Sequence, residues 1–137
     1  MLRLLNIIEK NYPEIYQHGE RVSKVLSLFL EYAGINHELI EQASIAARIC
    51  DVGKTLLPVD ILKKEKEGIP LSQEEKECLK KHPKLGVEFI NRYYKKIYDT
   101  ETIISGILSH HERYDGKGYP IGIKKYANYQ TTYVIAM

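Results

Sequence analysis

Apolar residues recur along the chain at the three-to-four-residue spacing of an amphipathic helix, and no run alternates as a half-buried strand does. Residues 1–10 (MLRLLNIIEK) carry this pattern without the length of a membrane span or a small-residue cleavage site. Pro13 suits the first turn of a helix predicted to about residue 33. Its apolar stripe is Ile15, Val22, Val25, Leu26, Leu28, Phe29 and Leu30, and Gly34 stands at the expected C-terminal cap. Asn36 can cap a helix over roughly 37–50 that buries Leu39, Ile40, Ala43, Ala46, Ala47 and Ile49. Gly53 and Pro58 leave room only for turns or short helical pieces, and residues 65–70 (EKEGIP) read as a polar loop. Ser72 with Glu75 forms a capping box that opens another helix. Pro83 starts the next, with Leu85, Val87, Phe89 and Ile90 inward. Thr100 can cap one running through Glu112 on Ile103, Ile104, Ile107 and Leu108. Residues 113–122 are a Gly/Pro loop, and residues 131–137 look like the first turns of a last helix. The expected fold is all-α: one helical bundle domain over residues 1–137.

Composition narrows the function classes. The 137 residues are 44% hydrophobic and 28% charged, close to globular averages, which excludes wholesale disorder. Twenty basic residues against 18 acidic ones give a net charge of only +2, without the basic excess of a phosphate-backbone binder. Polymeric nucleic acid and membranes are not expected partners, whereas a small anionic ligand stays open. Two cysteines cannot build a disulfide framework, and a reduced, cytoplasmic setting is expected.

Chemistry is concentrated in polar residues set among apolar helices. Asp51 directly follows the run SIAARIC and needs a partner if buried; Lys54, three residues on, could supply one as a plain salt bridge. Glu14 and His18 are an i, i+4 pair, and His82 stands just before Pro83. His110 and His111 end an apolar helix, where neighbours point about 100° apart. That geometry suits ligands of different ions, or of an ion and a substrate, better than one chelate. Singly, Asp51–Lys54 is a structural ion pair, Glu14–His18 an ordinary helix pair and His82 a cap. Jointly, a Glu, several His and an Asp spread over separate helices suggest a polynuclear site for iron, manganese or zinc. Such sites activate water and clamp a phosphoryl group in displacement.

The order of these segments resembles the HD-GYP domain, a branch of the HD superfamily of metal-dependent phosphohydrolases. The resemblance is carried by His18 with Glu20-Arg21-Val22, by Cys50-Asp51-Val52-Gly53-Lys54, by His82-Pro83 with Gly86, and by residues 110–120 (HHERYDGKGYP). It implies an HD-type helical bundle that hydrolyses cyclic di-GMP at a two- or three-metal centre. It places His18, Asp51, His82, His110 and His111 on metal-ligand positions, Asp51 as the bridging carboxylate, and Glu14 on the extra ligand of three-metal members. Lys54 matches the lysine that approaches the scissile phosphate, and Gly118-Tyr119-Pro120 the loop that shapes the ligand pocket.

Two departures qualify the match. Cys50 stands where the family has the His of its His-Asp doublet; a thiolate can also ligate zinc or iron. The family pattern further implies a metal-binding Asp about two residues beyond Met137, followed by basic ligand-holding residues. The implied activity is therefore expected to be impaired, and a catalytically degenerate module for metal or nucleotide binding or for protein interaction is the alternative. Without those C-terminal helices, Tyr133, Val134, Ile135 and Ala136 would be left uncovered and would favour a homodimer.

Overall fold

A computed structural model describes residues 2–94, 101–113 and 115–122. Among these residues all regular structure is helical, as the spacing of apolar positions predicts. In chain order the helices are α1 (Leu2–Asn11), α2 (Pro13–Tyr32), α3 (His37–Ile49), a 3-10 turn (Val52–Leu56), α4 (Val59–Glu67), α5 (Gln73–Leu79), α6 (His82–Tyr93) and α7 (Glu101–Ser109). None is long and apolar enough to cross a membrane. Residues 123–137 lie outside the described part, and with them the expected last helix and its apolar surface.

The helix ends follow local chemistry. Asn36 Oδ1 accepts from the Leu39 amide at 2.9 Å, which caps α3. Ser72 and Glu75 form the reciprocal capping box at α5. Gly34, at φ +72°, ends the α2 turn in a left-handed conformation open to glycine. Residues 65–67, expected in a loop, instead complete α4, because the left-handed residue that stops the helix is Gly68 at φ +68°.

Helix α3 sits at the centre, packed on α2 along one side and α7 along another. Its inward positions are Ile40, Ala43, Ala46, Ala47 and Ile49, all among the predicted core residues. They meet Leu4, Leu5 and Ile8 of α1, Leu26 and Leu30 of α2, Ile90 of α6, and Ile103 and Ile107 of α7. The predicted stripe of α2 needs correction. Its buried face is Gly19, Ser23, Leu26 and Leu30, whereas Val25, Leu28 and Phe29 are exposed. The small residues permit close approach: Ser23 Oγ and Ser44 Oγ hydrogen bond across the α2–α3 seam at 2.7 Å.

Candidate metal centre

Three chain segments deliver polar side chains to one point. Asp51 follows α3 and caps the 3-10 turn, whose Lys54 amide donates to Asp51 O at 2.9 Å. His82 opens α6 and is fully buried. His110 and His111 occupy the turn after Ser109. Helix α7 thus ends before the two histidines, so the expected 100° divergence along a helix does not apply. The 3-10 turn is seated against α6 at Gly53. A Cβ there would stand 2.0 Å from His82 O and 2.5 Å from the Gly86 amide nitrogen, so only glycine fits.

Ring orientation is set by backbone carbonyls. His82 Nδ1 lies 2.7 Å from Leu79 O and His110 Nδ1 lies 2.8 Å from Ile107 O. A carbonyl can only accept, so each Nδ1 carries a hydrogen, and each ring in its neutral form turns a bare Nε2 toward the other. The two Nε2 atoms are 3.1 Å apart, and Asp51 Oδ1 lies 3.1 Å from one and 3.4 Å from the other. Asp51 Oδ1 is buried without a hydrogen-bond partner. With both rings neutral, three lone-pair donors face one another, an arrangement that a cation, whether a metal ion or a proton, relieves. Ligands about 2.0–2.2 Å from one ion, at right angles, stand about 3 Å apart, which is the spacing seen here. His111 joins them: one ligand atom from each of Asp51, His82, His110 and His111 lies within 4.8 Å of every other. The donor set fits a divalent transition metal held by imidazole and carboxylate.

Electrostatics reinforces the reading. Burial by itself would raise the Asp51 carboxyl, but without a metal ion, hydrogen bonds donated by the His110 and His82 rings and the charge of the Lys54 ammonium hold it well below the usual carboxylate range. Burial, then the neighbouring His110 and His82, lowers His111 to about 3, which keeps its ring neutral and able to ligate. Lys54 Nζ stands 3.2 Å from Asp51 Oδ2 and 3.0 Å from Glu65 Oε1. Burial opposes its charge, yet the two carboxylates raise the ammonium above its ordinary range.

The other predicted residues are placed unequally. His18 Nε2 is 3.9 Å from Asp51 Oδ2, at the edge of the cluster, with its side chain half-exposed. Glu14 lines, with Asp51 and Lys54, a cleft of about 550 Å³ between the start of α2 and α4, and is ion-paired to Lys66. Cys50 is buried at the end of α3, and its Sγ is not among the converging ligand atoms; burial pushes the thiol up to about 12. The loop after α7 folds back over the centre. Tyr119 stacks on His111 with ring centroids 4.6 Å apart, and its amide donates to His111 O at 3.2 Å. A Cβ on Gly118 would stand 2.3 Å from the Arg113 nitrogen, so glycine is required where the loop crosses its own start. Burial raises the Tyr119 phenol to about 12, so it remains a hydroxyl. Sequence reasoning assigned no role to Glu112, which is buried beside the histidines.

Residues 3–127 match the HD domain family. Curated relatives are similar over most of the chain. A cyclic di-GMP phosphodiesterase response regulator of Xanthomonas campestris is 35% identical over 104 residues, 76% of this chain and 26% of the relative. A cyclic di-GMP phosphodiesterase of Thermotoga maritima is 35% identical over 126 residues, 91% of this chain and 33% of the relative. A 3'3'-cGAMP-specific phosphodiesterase of Vibrio cholerae is 30% identical over 117 residues, 85% of this chain and 22% of the relative. The chain thus spans between a fifth and a third of the length of these relatives.

Proposed function

This chain belongs to the HD domain family, and on that premise we propose that it is a metal-dependent cyclic dinucleotide phosphodiesterase domain of the HD-GYP branch. The observation that carries the reading is the triangle of His82 Nε2, His110 Nε2 and Asp51 Oδ1, with His111 alongside. These four residues would hold the metal ions of a polynuclear centre, Asp51 as the carboxylate shared between two of them, with His18 and Glu14 as further ligands toward the open cleft. The bound metal, iron or manganese before zinc, supplies an activated water and charge neutralisation at the phosphate. The chain's own residues supply the rest. Lys54, held charged between Asp51 and Glu65, presents its ammonium to the non-bridging phosphate oxygens. Tyr119, stacked on His111, forms a wall against which the nucleotide is oriented, with Gly118 and Pro120 shaping the loop. The volume of the cleft falls in the range of small-molecule sites. Relatives named for cyclic di-GMP and for 3'3'-cGAMP support the substrate class.

The second reading, a degenerate module that binds metal or nucleotide without turnover, is favoured by Cys50 in place of the doublet His. One experiment separates them: the purified chain, reconstituted with ferrous iron or manganese, is assayed for metal content and for hydrolysis of cyclic di-GMP and 3'3'-cGAMP. Hydrolysis lost in Lys54→Ala with metal retained supports the enzyme. Metal or dinucleotide binding without product supports the module. Metal content no higher in the native chain than in Asp51→Asn refutes the metal-dependent enzyme, and if the dinucleotide is not bound either, it refutes both.

A further inference from the structure

Glu112 is a carboxylate only 3% exposed, adjacent in sequence to His110 and His111, yet it is not among the converging ligand atoms. Its Oε1 instead accepts two backbone amides, Ile121 N at 2.7 Å and Gly122 N at 3.1 Å. These amides lie at the far end of the loop whose start is Arg113. Glu112 is itself tied to α7, its amide donating to Ser109 O at 2.9 Å. One side chain therefore fastens the end of the loop to the turn that bears the histidines. Between these ends, Gly116 N donates to Arg113 O at 2.9 Å, and Arg113 grips Asp115 through two hydrogen bonds of 3.0 and 2.7 Å. The described residues of the loop are thus cross-linked to one another and registered on the site by Glu112.

We propose that Glu112 is a positioning residue that sets Tyr119 over His111 by clamping residues 121 and 122, and so determines how tightly the site holds a dinucleotide. The proposal deepens the function proposed above and rests on it for the identity of the ligand. A side chain of this reach is needed, since two amides converge on one oxygen that stands three carbons from the backbone Cα. Glutamine keeps that oxygen at the same reach without the charge, whereas aspartate keeps the charge and falls one methylene short. A metal-ligand role would favour the opposite order.

The test uses Glu112→Gln, Glu112→Asp and Glu112→Ala in the manganese-loaded chain, with three readouts. Amide hydrogen exchange reports Ile121 and Gly122, elemental analysis reports metal, and kinetics compares cyclic di-GMP with bis(p-nitrophenyl) phosphate, too small to span the loop. Asp and Ala are expected to unprotect both amides, to raise KM for cyclic di-GMP roughly tenfold, a change of about 1.4 kcal/mol, and to leave kcat, metal content and cleavage of the small diester unchanged. Gln is expected to restore the amides and KM. Metal lost in Gln but kept in Asp would make Glu112 a ligand and overturn the proposal, as would amides that stay protected in Asp. If Ala does not fold, the isosteric Gln against Asp still decides. If the native chain neither binds nor cleaves the dinucleotide, the proposed function fails, while the exchange data still judge the clamp.

Discussion

Gly53→Ala should disable the metal centre without touching a ligand. The added methyl would lie 2.0 Å from His82 O, and ordinary contact begins at 3.4 Å, so the 3-10 turn and α6 would have to part by about 1.4 Å. The obstructing atoms belong to the backbone of His82 and Gly86, which cannot swing aside. Overpacking of this kind costs about 1–3 kcal/mol. For a chain of this length that is a fall in Tm on the order of 10 °C at the upper end. The displacement also carries Asp51 away from His82, whereas metal sites tolerate deviations of only about 0.2 Å in ligand distance. Gly34→Ala is the matched control. Its φ of +72° makes alanine strained, but nothing lies within 4 Å of the new methyl, so it should cost about 1–2 kcal/mol and keep full metal content. The assay is thermal melting with and without manganese, alongside elemental analysis. A Gly53→Ala protein that melts with the native chain and binds the same metal would refute the reasoning.

Metal-free protein should lose stability as pH falls from about 6.5 toward 3, because the unfolded chain takes up a proton at His111 that the folded chain, with that imidazole near 3, refuses. Above pH 6.5 this contribution is complete and flat, and in His111→Gln the corresponding slope of Tm against pH should flatten. Asp51, held below its ordinary 3.8, adds a further loss only beneath that value, which Asp51→Asn should remove. Cys50, buried with its thiol near 12, should resist a disulfide reagent in the native protein while half-buried Cys78 reacts; two fast native thiols would contradict this burial. Cys50→His should raise metal content, and unchanged content would mean that this position is not the missing ligand.

Much of the fold was legible because capping and periodicity are local. Asn36, Ser72 with Glu75, and the alanine-rich face of α3 each signal their role within a few residues. The face of α2 was not, because hydrophobicity does not mark Gly19 and Ser23, which are buried by close helix approach. The end of α7 escaped for a related reason. Ser109 returns its hydroxyl to Ser105 O, and the chain leaves the helix while the residues still read as helical. At the site, Asp51, His82, His110 and His111 could be singled out as polar residues among apolar ones. That His82 and His110 turn their Nε2 atoms on Asp51 depends on the carbonyls of Leu79 and Ile107, which no spacing reveals. Glu112 gave no signal of its own, since the backbone amides it holds lie nine and ten residues on.

The central helix has one more consequence. Ala43, Ala46 and Ala47 are 0–1% exposed and present only methyl groups to their neighbours. A methyl has no rotamer to exchange, so α3 behaves as a shim of fixed thickness between α2, which bears His18, and α7, which leads into His110 and His111. Longer core side chains could absorb a neighbour's change by repacking; this layer has no such slack. A substitution as small as Ala46→Val would be transmitted outward as displacement rather than absorbed, and would reach the centre through the helices on either side. Tolerance to mutation should therefore be lowest along a helix that supplies none of the four converging ligands.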